Sequence, residues 1–173
     1  MAIASVGVIA FAWLGWWLAS RSGHASRPVL DAGPLATPPA FPTQDGIAID
    51  PGSPFTFGQA VLVNHSASTA TIQSAALSPN TLGLRSLGVY VRSARGIAIA
   101  SGTSMRGLST LHGYQLRPGQ AVAIVFHLEL SRTGVVRTSG VLVLYEIGGN
   151  NYSLVLPQSL KACAPRAQFL GRC

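Results

Sequence analysis

Apolar and polar residues alternate in short runs along most of the chain after residue 55. The clearest run covers residues 121–130. Five of its apolar residues share one parity: Val122, Ile124, Phe126, Leu128 and Leu130. Because successive side chains of a β-strand point to opposite faces, this spacing predicts a strand with one buried face. No segment after residue 20 has a 3.6-residue period, so the body is predicted to be all-β.

Further strands are predicted wherever apolar runs end at turn-forming residues. These runs are residues 47–49, 60–63, 69–77, 87–91 and 97–99. Two more runs, 141–145 and 152–156, flank the turn sequence Gly148-Gly149-Asn150-Asn151 and predict a hairpin. About seven strands with closely spaced turns favour a β-sandwich of two sheets.

The start of the chain has a different pattern, because residues 2–19 carry no charge. A helix over this stretch is about 27 Å long, close to the hydrocarbon thickness of a bilayer. Trp13, Trp16 and Trp17 lie at its C-terminal end, where indole rings favour the lipid head-group region. Residues 1–20 are therefore predicted to form a single transmembrane anchor.

Two features of this segment leave alternatives open. Gly23 and Ala25 precede Ser26 with the spacing of a signal-peptide cleavage site, although no basic region precedes the apolar run. Arg21 and Arg27 follow the helix, and by the positive-inside rule they place the body in the cytoplasm. The cysteine pair and the exported character of the body favour the outside, so a single-pass cell-membrane protein with an extracytoplasmic body is expected.

Proline content then divides the rest of the chain. Residues 21–54 contain seven of the 11 prolines and are predicted to form an extended, semi-rigid tether. The β-domain is placed at residues 55–163, and residues 164–173 are predicted to be a C-terminal tail.

Charge and composition narrow the partners. The chain has 12 basic and 5 acidic residues, and after residue 80 the acidic residues are Glu129 and Glu146 alone. This excess predicts attraction to an anionic envelope polymer or lipid surface, besides another envelope protein as partner. Nucleic acid is not expected, because no strand combines aromatic and basic residues in the required pattern. The four histidines are scattered, so no metal or cofactor is predicted.

The body resembles a bacterial membrane-anchored immunoglobulin-like β-sandwich. The resemblance covers residues 55–163 and rests on a strand closing at Asn64, the L-x-P-G turn that begins at Leu116, and the terminal hairpin. The Cys–Trp–Cys pattern of antibody domains is absent. The resemblance implies a domain that binds or scaffolds and does not catalyse.

One enzymatic alternative accompanies this interpretation. His112, Cys163 and Arg172 occur in the order used by sortase-like cysteine transpeptidases, which also combine an anchor with a β-domain. The two threonines of the sortase motif are replaced by Ser159 and Ala162. The competing interpretation of Cys163 is a disulfide with Cys173. The sequence thus favours a non-catalytic, membrane-tethered binding or envelope-structural module, and leaves open whether the chain is an enzyme.

Overall fold

The computed structural model describes residues 30–32, 46–79, 82–93, 105–156 and 158–173. Twelve strands and one short helix lie in these ranges. In chain order they are β1 Leu30–Ala32, β2 Ile47–Ala48, β3 Pro54–Asn64, β4 Ala70–Ser78, β5 Leu84–Ser93, β6 Ser109–Thr110, β7 Tyr114–Leu116, β8 Ala121–Leu130, β9 Gly134–Thr138, β10 Gly140–Ile147, β11 Asn150–Leu156, β12 Leu160–Ala164 and α1 Arg166–Phe169. The all-β prediction for the body is confirmed.

Two predicted elements fall on parts of the chain that are not described, namely the anchor at residues 1–20 and the strand at residues 97–99. Within the described ranges, no helix has the length and apolar character needed to span a bilayer.

The strands form three sheets. The largest has the order β1-β3-β8-β5-β6, and the second has the order β11-β10-β4-β7. The neighbouring strands of both sheets are antiparallel. In the third sheet, β12 is the central strand and pairs in parallel with β2 and antiparallel with β9. Inward-facing residues of all three sheets join one hydrophobic core.

β8 is the central strand of the largest sheet and behaves as its alternation predicts. All five of the apolar residues that share its inward parity are at most 1% exposed. On one side β8 pairs with β3 and on the other with β5. A strand with two neighbours and a buried face is the structure that strict period-two spacing favours.

The predicted terminal hairpin is confirmed as β10 and β11. Their register runs from Val141 opposite Leu156 to Ile147 opposite Asn150 without a bulge. The turn residues Gly148 and Gly149 have φ values of 58° and 80°, a combination that glycine adopts without steric cost.

The third sheet corrects the predicted domain boundaries at both ends. Ile47 of β2 and Ile49 after it pack against the core, so residues 46–54 belong to the folded body and not to the tether. The predicted tail likewise carries the helix α1, and Ala164 is still part of β12. The proline content of residues 21–54 predicts a tether and gives no sign of this boundary. Two residues are enough to form β2 because β12 supplies the strand with which it pairs.

The predicted number of strands, about seven in two sheets, is too low. The described ranges hold twelve strands in three sheets. The extra strands are short, and several contain two or three residues. Strands of this length contain little more than one period of alternation, which is too short to be recognised in the sequence, and they form only where a longer neighbour supplies the hydrogen bonds.

Candidate functional site

The two cysteines lie together at the end of the third sheet. Cys163, on β12, is fully buried and forms a disulfide with Cys173, with their Cα atoms 5.9 Å apart. That separation is typical of protein disulfides. A transpeptidase needs a thiolate as its nucleophile. In this structure Cys163 offers none.

Of the other two residues of the enzymatic alternative, Arg172 directly precedes the disulfide-bonded Cys173, whereas His112 lies elsewhere. His112 is in the turn between β6 and β7, where its Nδ1 donates to the backbone oxygen of Gln73 on β4 (2.7 Å). This places it beside the second sheet, whereas Cys163 is in the third. Arg172 is exposed just after α1. The hydrogen bonds of the described residues bring none of these three side chains together.

The segment around the disulfide forms what we call the C-terminal clasp, made of Gly46, Asp50, Lys161, Cys163 and Cys173. The backbone oxygen of Cys173 accepts a hydrogen bond from Lys161 Nζ. Asp50 Oδ1 accepts one from the backbone N–H of the first residue of α1 (3.1 Å). A Cβ atom placed on Gly46 would lie 2.5 Å from Cys173 Sγ. The clasp therefore joins the start of the body to its last strand and to residues 165–173.

Neither Gly46 nor Asp50 could be assigned to this clasp from the sequence. Both lie in the segment predicted to be a tether, and no local motif marks a close approach of glycine to a sulfur more than a hundred residues later in the chain. The relevant signal is the alternation of Ile47 and Ile49, which predicts a strand but not its partner.

An open cleft of about 660 Å³ lies beside the L-x-P-G turn, near the end of β5 and the start of β8. Its wall includes Tyr114, Arg117 and Gln120. Gln120 Nε2 donates to the Tyr114 hydroxyl (2.8 Å), and Gln120 Oε1 accepts from the Arg117 backbone N–H (3.0 Å). These bonds fix the L-x-P-G turn. The cleft has one charged side chain, so it offers a single cation to a ligand and no acid–base pair.

Positive charge covers several parts of the surface. Every described arginine is exposed: Arg85, Arg92, Arg106, Arg117, Arg132, Arg137, Arg166 and Arg172. Arg85 forms an ion pair with Glu129 (2.8 Å). Outside β1 the described residues include only three carboxylate side chains, so basic side chains outnumber acidic ones on this surface. In the same ranges, no three His, Cys, Asp or Glu side chains group as metal ligands.

Comparison with known proteins gives no family. No known protein family and no curated protein matches this sequence. Among solved structures, the VesB protease of Vibrio cholerae is similar with a TM-score of 0.38 and 10% identity over 69% of this chain. The match spans 30% of that protease. The PapD-like domain 7 of human CEP192 is similar with a TM-score of 0.35 and 16% identity over 69% of this chain and 78% of that domain. At these TM-scores neither similarity identifies a family or an activity.

Proposed function

We propose that this chain is a non-catalytic module of the immunoglobulin-like β-sandwich type, tethered to the cell membrane with its body outside the cytoplasm. Its role is to bind or scaffold components of the cell envelope. The observation that carries the proposal is the Cys163–Cys173 disulfide in the clasp. Disulfides persist in oxidising compartments and are rare in the cytosol, which supports an extracytoplasmic body.

The disulfide also bears on catalysis. It occupies the only two cysteines of the sequence, including the one nucleophile that the enzymatic alternative requires. The exposed arginines support an anionic partner, because a surface with more basic than acidic side chains attracts phosphate and carboxylate groups over about a Debye length. An envelope polymer or lipid head groups of that charge are the partners we propose.

The proposal is tested by the redox state of the two cysteines in living cells. Cells expressing the full chain are quenched in acid, and free thiols are labelled under denaturing conditions with a maleimide-linked polymer that retards each labelled protein on a gel. We expect no shift without prior reduction and a double shift after it. The Cys173→Ala variant is the matched control and should shift once in both samples.

A double shift without reduction would place the body in a reducing compartment and overturn the extracytoplasmic part of the proposal. Rapid labelling of Cys163 alone by iodoacetamide near neutral pH, with Cys173 unlabelled, would restore the transpeptidase alternative, because it would reveal an activated thiolate.

A further inference from the structure

α1 and the residues after it lie on the surface without burying their apolar side chains in the core. None of the residues of α1 is buried, although they include Ala167 and Phe169. Phe169 is partly buried, and Leu170, which follows it, is 68% exposed. A helix of a folded domain normally packs by burying an apolar face. α1 therefore owes its position to other contacts.

The disulfide and the hydrogen bonds of the clasp hold this segment in place. The Cys163–Cys173 bond joins its end to β12, and Asp50 Oδ1 accepts from the backbone N–H of the first residue of α1 (3.1 Å). The backbone N–H groups of the last two residues both donate to the backbone oxygen of Phe169 (2.9 and 3.0 Å). Because none of these contacts requires burial of Leu170, its side chain stays available to a partner.

Four cations belong to the same part of the surface. Arg166 and Arg172 flank the exposed turn in sequence, and both are exposed. Lys161 Nζ donates to the backbone oxygen of Cys173, the residue that follows Arg172. Arg137 of β9 lies directly opposite Lys161 of β12, so the two side chains share one face of the third sheet.

These cations have few acidic neighbours. Residues 45–50 and 160–173, which contain the clasp, carry three cations and two carboxylates, Asp45 and Asp50, and Arg137 adds a fourth cation. Like charges directly opposite each other in adjacent strands, such as Lys161 and Arg137, destabilise a sheet. An anionic partner reduces this repulsion.

We propose that residues 166–172, with Arg137 and Lys161, form a surface, the basic tip, that docks on the phospholipid head groups of the bilayer holding the predicted anchor. This inference rests on the membrane tether of the proposed function. The side chain of Leu170 enters the head-group region, and the four cations lie against lipid phosphates. Attachment of this kind strengthens with the apolar area that enters the interface and with attraction to anionic lipids.

The size and composition of the basic tip favour a bilayer over other anionic partners. A soluble polyanion is bound by the cations alone and gives no role to the exposed Leu170. An acidic protein needs an interface of about 800 Å² per partner, and the short segment around Leu170 supplies little apolar area for its centre. A bilayer requires only shallow insertion, and the tether keeps the basic tip at high local concentration beside it.

The chain between the predicted anchor and the body is long enough for this contact. β1 pairs with residues 62–64 at the end of β3, whereas the clasp lies near the start of β3, where Asp50 precedes Pro54. The ten residues from 21 to 30 reach about 35 Å when extended. The 11 residues of β3 extend about 33 Å from first to last Cα atom. The basic tip can therefore touch the bilayer while β1 stays paired.

The first experiment measures the contact of α1 with lipid, using the full chain reconstituted in vesicles. A fluorophore is attached at Gln168→Cys, an exposed position of α1, and lipids brominated close to the head group quench it on contact. The native cysteines are paired and are not labelled. We expect quenching in vesicles with about one-third phosphatidylglycerol, and at least several-fold less in pure phosphatidylcholine or in about 0.5 M salt.

Asn150→Cys is the matched control position for the label. Asn150 is exposed and follows the hairpin turn at the end of β10, whereas the start of β10 adjoins β9 of the third sheet. The same fluorophore at this position should not be quenched in either kind of vesicle, because the basic tip holds this end of the body away from the lipid.

The second experiment separates the apolar and the charged contributions in the chain labelled on α1. Leu170→Ser should reduce the quenching at least several-fold, and so should Arg166→Gln with Arg172→Gln. Arg92→Gln with Arg117→Gln is the matched control. It removes the same charge from exposed positions near the start of β8, and should leave the quenching unchanged. Circular dichroism checks that each variant is folded.

Four results would overturn the proposal. They are an unquenched label on α1 in anionic vesicles, equal quenching at Asn150→Cys, no effect of Leu170→Ser, or equal losses for the two arginine pairs. Soluble polyphosphate that raises the anisotropy of an unquenched label on α1 would show that the surface binds a soluble polyanion instead.

Flotation of the same vesicles reports on the tether separately. A chain that floats with the vesicles while the label on α1 stays unquenched contradicts this inference alone. A chain that does not float contradicts the membrane tether of the proposed function together with this inference.

Discussion

At the scale of single residues, the side chain of Asn64 makes four hydrogen bonds that the neighbouring sequence does not predict. Asn64 ends β3 and is fully buried. Its Nδ2 donates to the backbone oxygens of Ser68 and Leu116, each at 2.8 Å. Its Oδ1 accepts from the backbone N–H and the hydroxyl of Ser66 (2.9 and 2.7 Å). One amide therefore holds the 64–68 turn against the end of β7.

Asn64→Ala should lower the free energy of unfolding by about 2–3 kcal/mol, because buried polar groups lose their partners. Urea denaturation followed by circular dichroism measures the change. Asn150→Ala is the control, since Asn150 is exposed and makes one long side-chain bond of 3.5 Å. A loss below about 0.5 kcal/mol for Asn64→Ala would show that water replaces the amide.

Gly46 illustrates a second constraint at this scale, because Cys173 lies too close to it to leave room for a side chain. The space for a Cβ is occupied by the sulfur and the backbone oxygen of Cys173, at 2.5 and 2.6 Å. Gly46→Ala should therefore cost about 1–3 kcal/mol by overpacking, measured by thermal or urea unfolding. In a Cys173→Ala background the same change should cost less. Equal costs in both backgrounds would contradict a clash at the sulfur.

At the scale of elements, the disulfide closes a short loop of the chain that contains the end of β12 and all of α1. The two cysteines are 10 residues apart in sequence, and closing a loop of this size stabilises by about 2–3 kcal/mol on the chain-entropy view. Cys163→Ala and Cys173→Ala should each lower the stability by a similar amount. The double variant should lose little more than either single variant, because all three remove the same bond. Additive losses in urea unfolding would contradict this.

The longer elements could be predicted from the sequence, and the shorter ones could not. β8 and the β10–β11 hairpin contain several periods of alternation, and each is found where it was expected. β12 reads Leu-Lys-Ala-Cys-Ala, with four of its five residues buried, and has no polar face that alternation could reveal. β9 has only two buried residues. These strands form because they meet each other in space, and a local pattern does not contain that information.

The candidate site was predictable to the same limited extent. Cys163 and Cys173 can be singled out from the sequence because they are its two cysteines. The sequence leaves open whether Cys163 is a nucleophile or forms a disulfide with Cys173. The disulfide lies where β12 pairs with β2, with Ala48 opposite Cys163. That parallel pairing joins distant parts of the chain, so no spacing rule reveals it.

At the scale of the whole molecule, the full chain and the folded body without its predicted anchor should be found in different fractions after carbonate extraction. The full chain should remain with the membrane pellet after carbonate extraction, because residues 2–19 are uncharged and long enough to span a bilayer. A protein of residues 46–173 should be found in the supernatant and show β-type circular dichroism. Release of the full chain by carbonate would count against the anchor.

The connectivity of the sheets has a consequence for how the chain folds in time. Among the described strands, only β10 and β11 pair across a tight turn. β3 and β5 both pair with β8, and β4 pairs with β10, which are made later in the chain. During synthesis the early strands therefore emerge before their main neighbours exist. Long-range pairing of this kind slows folding to about milliseconds to seconds, although the hairpin alone should form in ~1–10 μs.

Stopped-flow circular dichroism after dilution from urea measures this rate for residues 46–173 with the disulfide intact, since every tryptophan lies before residue 20. Complete folding within the dead time of about a millisecond would contradict the expected delay. During that delay the apolar faces of β3 and β4 are open to chaperones and to other nascent chains. The interval before residue 147 has emerged is then the period in which the newly made protein is most exposed to aggregation.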